Sequence, residues 1–408
     1  MKAIAIKPAW LISVDGGDRF EPQLFRLLRA VNDTGKLTAA TRALGLSYRH
    51  AWDLLAKWAA TFGSPLVSME RGKGARLTPL GHKFLWAEQR VMASLFPQLE
   101  NIASELNAEI SRAGAKPPSH LRMHASHGYA VEKLPELMRR AGNAAMELRY
   151  MGSVEALASL ARGQCDVAGF HVALGDLAPS LWEPYAPWIR AAQQRIIRLA
   201  TRTQGLMVQR GNPLGIRKLA DLAKRGVKFV NRQPTSGTRV LLDGLLHAAR
   251  IDARRISGYD SGEFTHAAVA AFVASGAANV GLGVEPAARQ FHLDFIPVIT
   301  ERYMLACNVR TLDSPALKEL IAVLKSPAFA KTIDTVPGYT LDEAGEVLRF
   351  ADAMPWLGAA SNTTASTPAR RATTKKRTRK SPSRPRSVGA TAVKIASKGR
   401  KRAGKSVR

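Results

Sequence analysis

The chain has 408 residues, 46% of them hydrophobic, more than one ordinary domain holds and enough apolar material for two separate cores. Its formal charge of +28 is unevenly spread: residues 358–408 carry sixteen Lys and Arg and no Asp or Glu, so about +12 remains on the rest, and both parts favour a polyanionic partner. Cys165 and Cys307 lie far apart and outside any CxxC or Cys/His pattern, which argues against a disulfide framework and a structural zinc site. No run of about eighteen apolar residues exists to span a bilayer. The apolar stretch from Ala3 is interrupted by Lys7 and Pro8 and no cleavage site follows, so a cytoplasmic protein without signal peptide or membrane partner is expected.

In chain order, Leu24, Leu27, Leu28 and Val31 recur at helical spacing over 21–31, and Asn32-Asp33-Thr34-Gly35 stops that helix. A second, short helix over 37–44 breaks at Gly45, and a third over 47–61 has Ser47 as its N-cap. Two short helices joined by a glycine-containing turn form a helix-turn-helix. Residues 66–69 and 77–78, around the basic, glycine-rich segment 70–76, read as the two strands of a wing. A long helix over 79–110 carries an apolar stripe that includes Leu85, Val91, Leu95, Leu99, Ile102 and Leu106. Such a stripe usually faces another helix, here that of a second copy in a homodimer.

Residues 113–119 read as a linker that separates a DNA-binding module, 1–112, from a second folded part, 120–350. In the second part, strand candidates at 121–125, 146–151, 166–170, 227–230 and 280–282 alternate with turns and helical segments, which implies α/β architecture with parallel sheets. The β-rich stretch 196–208 is a candidate for a chain crossing between two lobes. The tail, 358–408, is Ala, Ser, Thr, Pro, Lys and Arg with almost no large apolar residue, so it cannot bury a core and is expected to be disordered.

A DNA major groove admits one α-helix, whose N-terminal side chains reach the base edges. The segment 47–53 suits that task. Ala51, Leu54, Leu55 and Trp58 form the inward stripe, leaving Ser47, Tyr48, Arg49, His50 and Trp52 towards the exposed side. Arg49 can donate two hydrogen bonds to one guanine, and Thr38 can hold a phosphate. Arg71, Lys73 and Arg76 extend the wing along the backbone. The alternative for Arg49 is a solvated i, i+4 pair with Asp53. The stretch Thr34-Gly35-Lys36-Leu37-Thr38-Ala39-Ala40, followed by Ala43-Leu44-Gly45-Leu46-Ser47-Tyr48-Arg49-His50-Ala51-Trp52, resembles the DNA-binding domain of the ModE regulators. Arg76-Leu77-Thr78-Pro79-Leu80-Gly81 resembles the end of the wing in both ModE and LysR-type regulators. The resemblance covers roughly residues 10–110. No counterpart of the small paired molybdate-binding modules of ModE follows, so their ligand residues are not carried over.

In the second part, polar turns follow predicted strands: Ser126-His127-Gly128, Gly152-Ser153 and Arg232-Gln233-Pro234-Thr235-Ser236-Gly237-Thr238-Arg239. Helix N-termini with adjacent hydroxyls make an anion site when several converge, although plain N-capping asks for the same residues. Segments such as Asp166-Val167-Ala168-Gly169-Phe170-His171 and Phe229-Val230-Asn231-Arg232-Gln233 resemble the periplasmic molybdate-binding-protein-like domain, of type II periplasmic-binding-protein fold, that is found fused to ModE-type modules. That resemblance implies two α/β lobes holding molybdate or tungstate as effector, with no other cofactor. Ser126, Ser153, Ser236 and Thr238, beside His127 and Gly237, are then the ligand donors. Arg232, Arg239 and His171 suit a small organic carboxylate equally well, since Arg grips a carboxylate with a two-pronged fork.

No GxSxG, GxxxxGK[ST], HExxH or post-strand GxGxxG pattern is present, so an enzyme is not expected. The expected protein is a homodimeric transcription regulator that binds double-stranded DNA and senses a small anion. The alternatives are a carboxylate sensor and an architectural DNA-binding protein whose second domain serves interaction alone.

Overall fold

The computed structural model describes residues 4–6, 12–13, 19–20, 22–70, 74–113, 119–142 and 144–356, all within one compact unit, Met1–Asn362. Arg71, Lys73, most of the linker and the 358–408 tail lie outside the described residues.

After a short antiparallel pair, β1 (Ile12–Ser13) and β2 (Arg19–Phe20), come α1 (Pro22–Thr34), α2 (Leu37–Leu44) and α3 (Tyr48–Phe62). Apolar residues at every third or fourth position put Leu24, Leu28 and Val31 of α1 into one core with Leu54, Leu55 and Trp58 of α3. Gly45 ends α2 with φ +66°, a left-handed turn that a side chain resists, and Ser47 then caps α3, its Oγ accepting the His50 N–H at 3.1 Å. The wing is β3 (Val67–Glu70) paired antiparallel with β4 (Gly74–Leu77). It is tied to the end of α1 by the Ala75 N–H donating to the Gly35 carbonyl at 2.9 Å.

The 35-residue α4 (Pro79–Ala113) links the two halves of the chain. Sequence pattern gives it a stripe for a partner helix, yet one face of α4 packs on its own chain. The side chain of Asn101 exchanges hydrogen bonds with the backbone N–H and C=O of Tyr150, at 2.6 and 3.1 Å, and Ser104 Oγ accepts the Leu148 N–H at 2.9 Å. Tyr150 and Leu148 lie on β6 (Ala144–Tyr150), an edge strand whose free backbone groups α4 thereby covers. Val91, Ile102, Leu106 and Ile110 remain exposed on α4.

The second half opens with β5 (Ser119–Ala125), α5 (Tyr129–Glu132), α6 (Leu134–Ala141), β6, α7 (Ser153–Ala161) and β7 (Val167–Ala173), the three strands parallel in the order β6-β5-β7. The chain leaves this lobe along β8 (Gln194–Val208). It builds the other lobe from β9 (Phe229–Arg232), α8 (Gly237–Ala248), β10 (Gly262–Glu263), α9 (His266–Ala274), β11 (Val280–Val284) and α10 (Glu285–Gln290). It returns along β12 (Asp294–Asn308) and closes with α11 (Pro315–Leu324), α12 (Pro327–Asp334), β13 (Tyr339–Leu341), β14 (Val347–Leu348) and α13 (Phe350–Ala353). The sheet order is β10-β9-β11-β8-β12-β7-β5-β6. Strands inside each lobe are parallel, as expected, but the sheet as a whole is mixed. β8 and β12 pair antiparallel along their full length because the chain crosses over and comes back. β8 meets β11 in one lobe and β12 meets β7 in the other, so both strands belong to both lobes.

Gly81 shows how tightly α4 is set on the DNA-binding module: a Cβ there would lie 2.1 Å from the Leu66 carbonyl oxygen, a backbone atom that cannot step aside. Gly81→Ala is expected to destabilise this module by about 1–3 kcal/mol through overpacking. Urea unfolding of wild type and variant measures it, and equal midpoints refute it.

Candidate functional site

Two surfaces carry the candidate residues. On the first, Thr38 on α2, Ser47, and Tyr48, Arg49, His50 and Trp52 on α3 are all solvent-exposed. Tyr48 and Trp52 stack with ring centroids 6.5 Å apart, two large apolar rings left in water. The Arg49 side chain is 93% exposed, and its contact with Asp53 is a loose 4.0 Å. At that exposure the pair is worth little and leaves the guanidinium available. His50 Nε2 lies 3.0 Å from Gln23 Oε1, which ties α3 to the start of α1. Arg76 is exposed on β4, beside the undescribed tip of the wing.

The second surface is the cleft between the lobes. Ser126, His127, His171, Arg232, Ser236, Gly237 and Thr238 line one small cavity, with Ser153 at its wall: the Ser153 hydroxyl lies 3.4 Å from Ser126 Oγ. The cavity is about 10 Å³, the room of a single water. Two glycines let the lobes meet. A Cβ on Gly152 would lie 2.2 Å from the Thr235 carbonyl oxygen across the cleft, and one on Gly237 would lie 2.9 Å from Ser153 Oγ. Arg239 does not join them. It points along the outer side of α8, where Nε donates to Asp243 at 2.9 Å and the guanidinium stacks over Tyr259 at 4.0 Å, because its place on the helix turns it away from the cleft. Ser236 also caps α8, its Oγ accepting the Arg239 N–H at 3.1 Å, so capping and cleft lining coincide there.

Sequence reasoning missed the residues that set the cleft's charge. Arg202 on β8 and Glu301 on β12 are both buried, with Nε donating to Oε1 at 2.6 Å. Gln204 Nε2 donates to both Glu301 Oε1 and Thr238 Oγ1, at 3.2 and 3.0 Å. His266, first residue of α9, faces the same cavity. The one signal available was a charged residue inside each of two β-rich stretches, around Arg202 and Glu301.

Arg232 is buried without a carboxylate partner among the described residues; its Nη2 donates to the Phe264 carbonyl at 2.7 Å. Burial, reinforced by Arg202, pulls its pKa down to about 9. Burial, then Arg232 and Arg202, lowers His127 to about 3, and burial followed by the same two arginines puts His171 and His266 well below the usual histidine value. All three imidazoles are neutral at pH 7. His171 Nδ1 lies 3.0 Å from Ser126 Oγ, but its Nε2, both ring nitrogens of His127 and of His266, and Gln204 Oε1 are buried with no hydrogen-bond partner. Buried polar atoms are nearly always partnered, so this many orphans around one cavity make it the candidate binding site. Among the described residues that line the cavity, Arg232 is the one ion without an opposite charge, which suits the chemistry of an anion.

α4 touches both lobes beside this cleft. Pro97 lacks the N–H that would bond the Ala93 carbonyl four residues earlier. Thr265 Oγ1, next to His266, donates to that carbonyl instead, at 3.1 Å. Arg90 and Ser94 both reach Glu263, at 3.3 and 3.1 Å. Asn101 and Ser104 hold the other lobe through β6.

Comparison with known proteins agrees with this two-part construction. Residues 22–82 match the bacterial regulatory helix-turn-helix protein of the lysR family, and residues 134–325 match the PBP superfamily domain. The uncharacterized protein YvgK of Bacillus subtilis is 32% identical over 202 residues, 49% of this chain and 64% of that protein, so the chain spans somewhat less than two thirds of this relative. An uncharacterized protein from the 5' region of a 2Fe-2S ferredoxin gene of Clostridium pasteurianum is 34% identical over 110 residues, 27% of this chain and 97% of that protein. MopB of Rhodobacter capsulatus, named a molybdenum-pterin-binding protein, is 33% identical over 97 residues, 23% of this chain and 36% of that protein. Residues 22–82 thus carry a lysR-type helix-turn-helix and residues 134–325 a PBP-like domain.

The buried neutral histidines make stability depend on pH. Their folded-state pKa values lie below the unfolded value of about 6.5, so their contribution is intact above that pH and is lost as pH falls. Below about pH 6 each such histidine costs up to about 1.4 kcal/mol per pH unit. Melting temperature is therefore expected to drop between pH 7 and 5, and less steeply in His127→Gln. Identical slopes in wild type and variant refute the assignment.

Proposed function

We propose that this lysR-type regulator senses a small oxyanion, molybdate or a chemical relative such as tungstate, in the cleft of its PBP-like domain, and that occupancy alters how a homodimer binds its operator. The reading rests on one observation above the others: a small cavity in which one guanidinium without a carboxylate partner, Arg232, three hydroxyls and three histidines with unpartnered ring nitrogens converge. A tetrahedral oxyanion offers acceptor oxygens in several directions and matches donors that come from both lobes. Similarity to the Rhodobacter capsulatus protein named for molybdenum-pterin binding supports the same chemistry. A small carboxylate is the second reading, favoured by Arg232 alone, since one two-pronged guanidinium suffices to hold it.

On the DNA side, Tyr48, Arg49, His50 and Trp52 enter the major groove, with Thr38 and Ser47 on the flanking phosphates and Arg71, Lys73 and Arg76 on the backbone beside the wing. The exposed apolar residues Val91, Ile102, Leu106 and Ile110 of α4 suit a second copy of the helix. The basic tail adds nonspecific affinity through counterion release. Coupling runs through α4, which grips both lobes on either side of Pro97, so a change in the angle between lobes is transmitted to the helix-turn-helix it carries. Such a change shifts DNA affinity only as far as the anion binds the two states unequally.

Arg49→Ala is expected to cost about 1–3 kcal/mol on the specific operator and little on unrelated DNA. Quantitative footprinting on matched and mutated operators decides it, and equal losses on all DNA assign Arg49 to phosphate instead. Arg232→Ala is expected to weaken molybdate binding at least about tenfold, since a charge-assisted hydrogen bond is worth about 1.5–3 kcal/mol. Calorimetry with molybdate, tungstate, sulfate, phosphate and benzoate measures this. Binding of benzoate alone, lost in the variant, selects the carboxylate reading.

A further inference from the structure

We infer that a dianion entering the cleft is accompanied by one proton, taken from solvent and held on the imidazole of His127 or His266, so that pH sets the sensor's affinity for its ligand; this rests on the oxyanion reading above. The argument begins with the charges that face the cavity. Arg202 on β8 and Glu301 on β12 neutralise each other, and Arg232 on β9 leaves one positive charge. The remaining titratable groups around it are His127 and Tyr129 after β5, Tyr150 on β6, His171 on β7, Tyr185, His266 on α9, Tyr303 on β12 and Tyr339 on β13; α4 presents the Phe96 ring to His127. Burial raises Tyr129, Tyr150, Tyr185 and Tyr303, which keeps their hydroxyls protonated. A dianion against a single net positive charge leaves the closed cleft one negative charge in excess. Uncompensated buried charge is strongly unfavourable where one partner of a pair is missing, and a single proton restores neutrality.

Hydrogen-bond chemistry points to the same groups. A neutral imidazole carries one N–H and one bare lone pair, and a fully deprotonated oxyanion, which only accepts, satisfies the first and leaves the second orphaned. Protonation turns that lone pair into a second donor. His127 and His266 have both ring nitrogens unpartnered, so both gain from this. His171 gains less, because its Nδ1 is already engaged by Ser126 Oγ at 3.0 Å. In the empty cleft the two guanidiniums and burial hold the rings neutral, so the proton arrives with the anion. His127 also borders a cavity of about 940 Å³ lined by α4 and the second domain. Because a proton is taken up on binding, affinity falls as pH rises. A monoanion needs no such proton.

The test is calorimetric titration of the full chain with sodium molybdate at several pH values from 5.5 to 7.5, each in two buffers of different ionisation heat. Expected is a buffer-dependent heat from proton uptake of up to one per site, largest at the acid end, with affinity falling as pH rises by at most about tenfold per pH unit. His127→Gln and His266→Gln each keep one donor and one acceptor but cannot hold a proton, and one of the two is expected to lose the uptake and flatten the pH dependence. Molybdate binding with no uptake overturns the inference and leaves the oxyanion reading standing. Uptake that survives when both histidines are replaced together, His127→Gln with His266→Gln, overturns the assignment to these two histidines. No heat with either molybdate or tungstate overturns the reading itself, and the inference with it.

Discussion

Arg202 and Glu301 sit side by side in the middle of β8 and β12, the two strands that the lobes share, and both side chains are removed from water. A buried ion pair survives only when its geometry and its secondary hydrogen bonds are good. Here Gln204 and Tyr339 supply the latter, at 3.2 and 3.4 Å. The pair lies where the chain passes from one lobe to the other. It therefore sets the charge at the base of the cleft and leaves a second guanidinium, Arg232, nearby without a carboxylate partner among the described residues. The neutral state of the three histidines follows from burial and from that placement.

The walls of the cleft come from different physics. Gly152 and Gly237 allow backbone to meet backbone and hydroxyl across the lobes, so the cavity shrinks to the size of a water without any side chain having to move aside. Polar atoms that backbone and neighbouring side chains do not satisfy are concentrated at this point, while the apolar cores of both lobes close around it. Desolvated polar atoms gathered in this way reward a ligand able to accept hydrogen bonds from several donors at once.

α4 runs from the DNA-binding module to both lobes of the second domain. A proline in mid-helix would ordinarily waste a carbonyl, but Thr265 uses the one released at Ala93 and so ties the N-terminus of α9, and with it His266, to the helix. The opposite lobe is held by side-chain amide and hydroxyl bonds to the edge of β6. A rigid element with one foot on each lobe responds to their relative angle, which a helix docked on one lobe alone would not.

The sequence by itself determined the local elements and the order of the domains. Gly45 and Ser47 fixed the turn between α2 and α3, the spacing of Leu24, Leu28 and Val31 fixed the buried face of α1, and Ser-Gly-Thr after β9 marked the start of α8 at the cleft. These signals act over a few residues, through φ preference, capping and helical period, and are legible without a fold. The tertiary structure decided what depends on distant segments meeting. It revealed that β12 returns antiparallel to β8, and that Arg202 finds Glu301 ninety-nine positions away. Arg239 is turned outward by the phase of its helix, His266 joins a cavity its own sequence neighbours do not announce, and one face of α4 is spent on its own chain. Charge compensation in a buried cleft is a property of side chains brought together from several strands, and no window along the chain contains it.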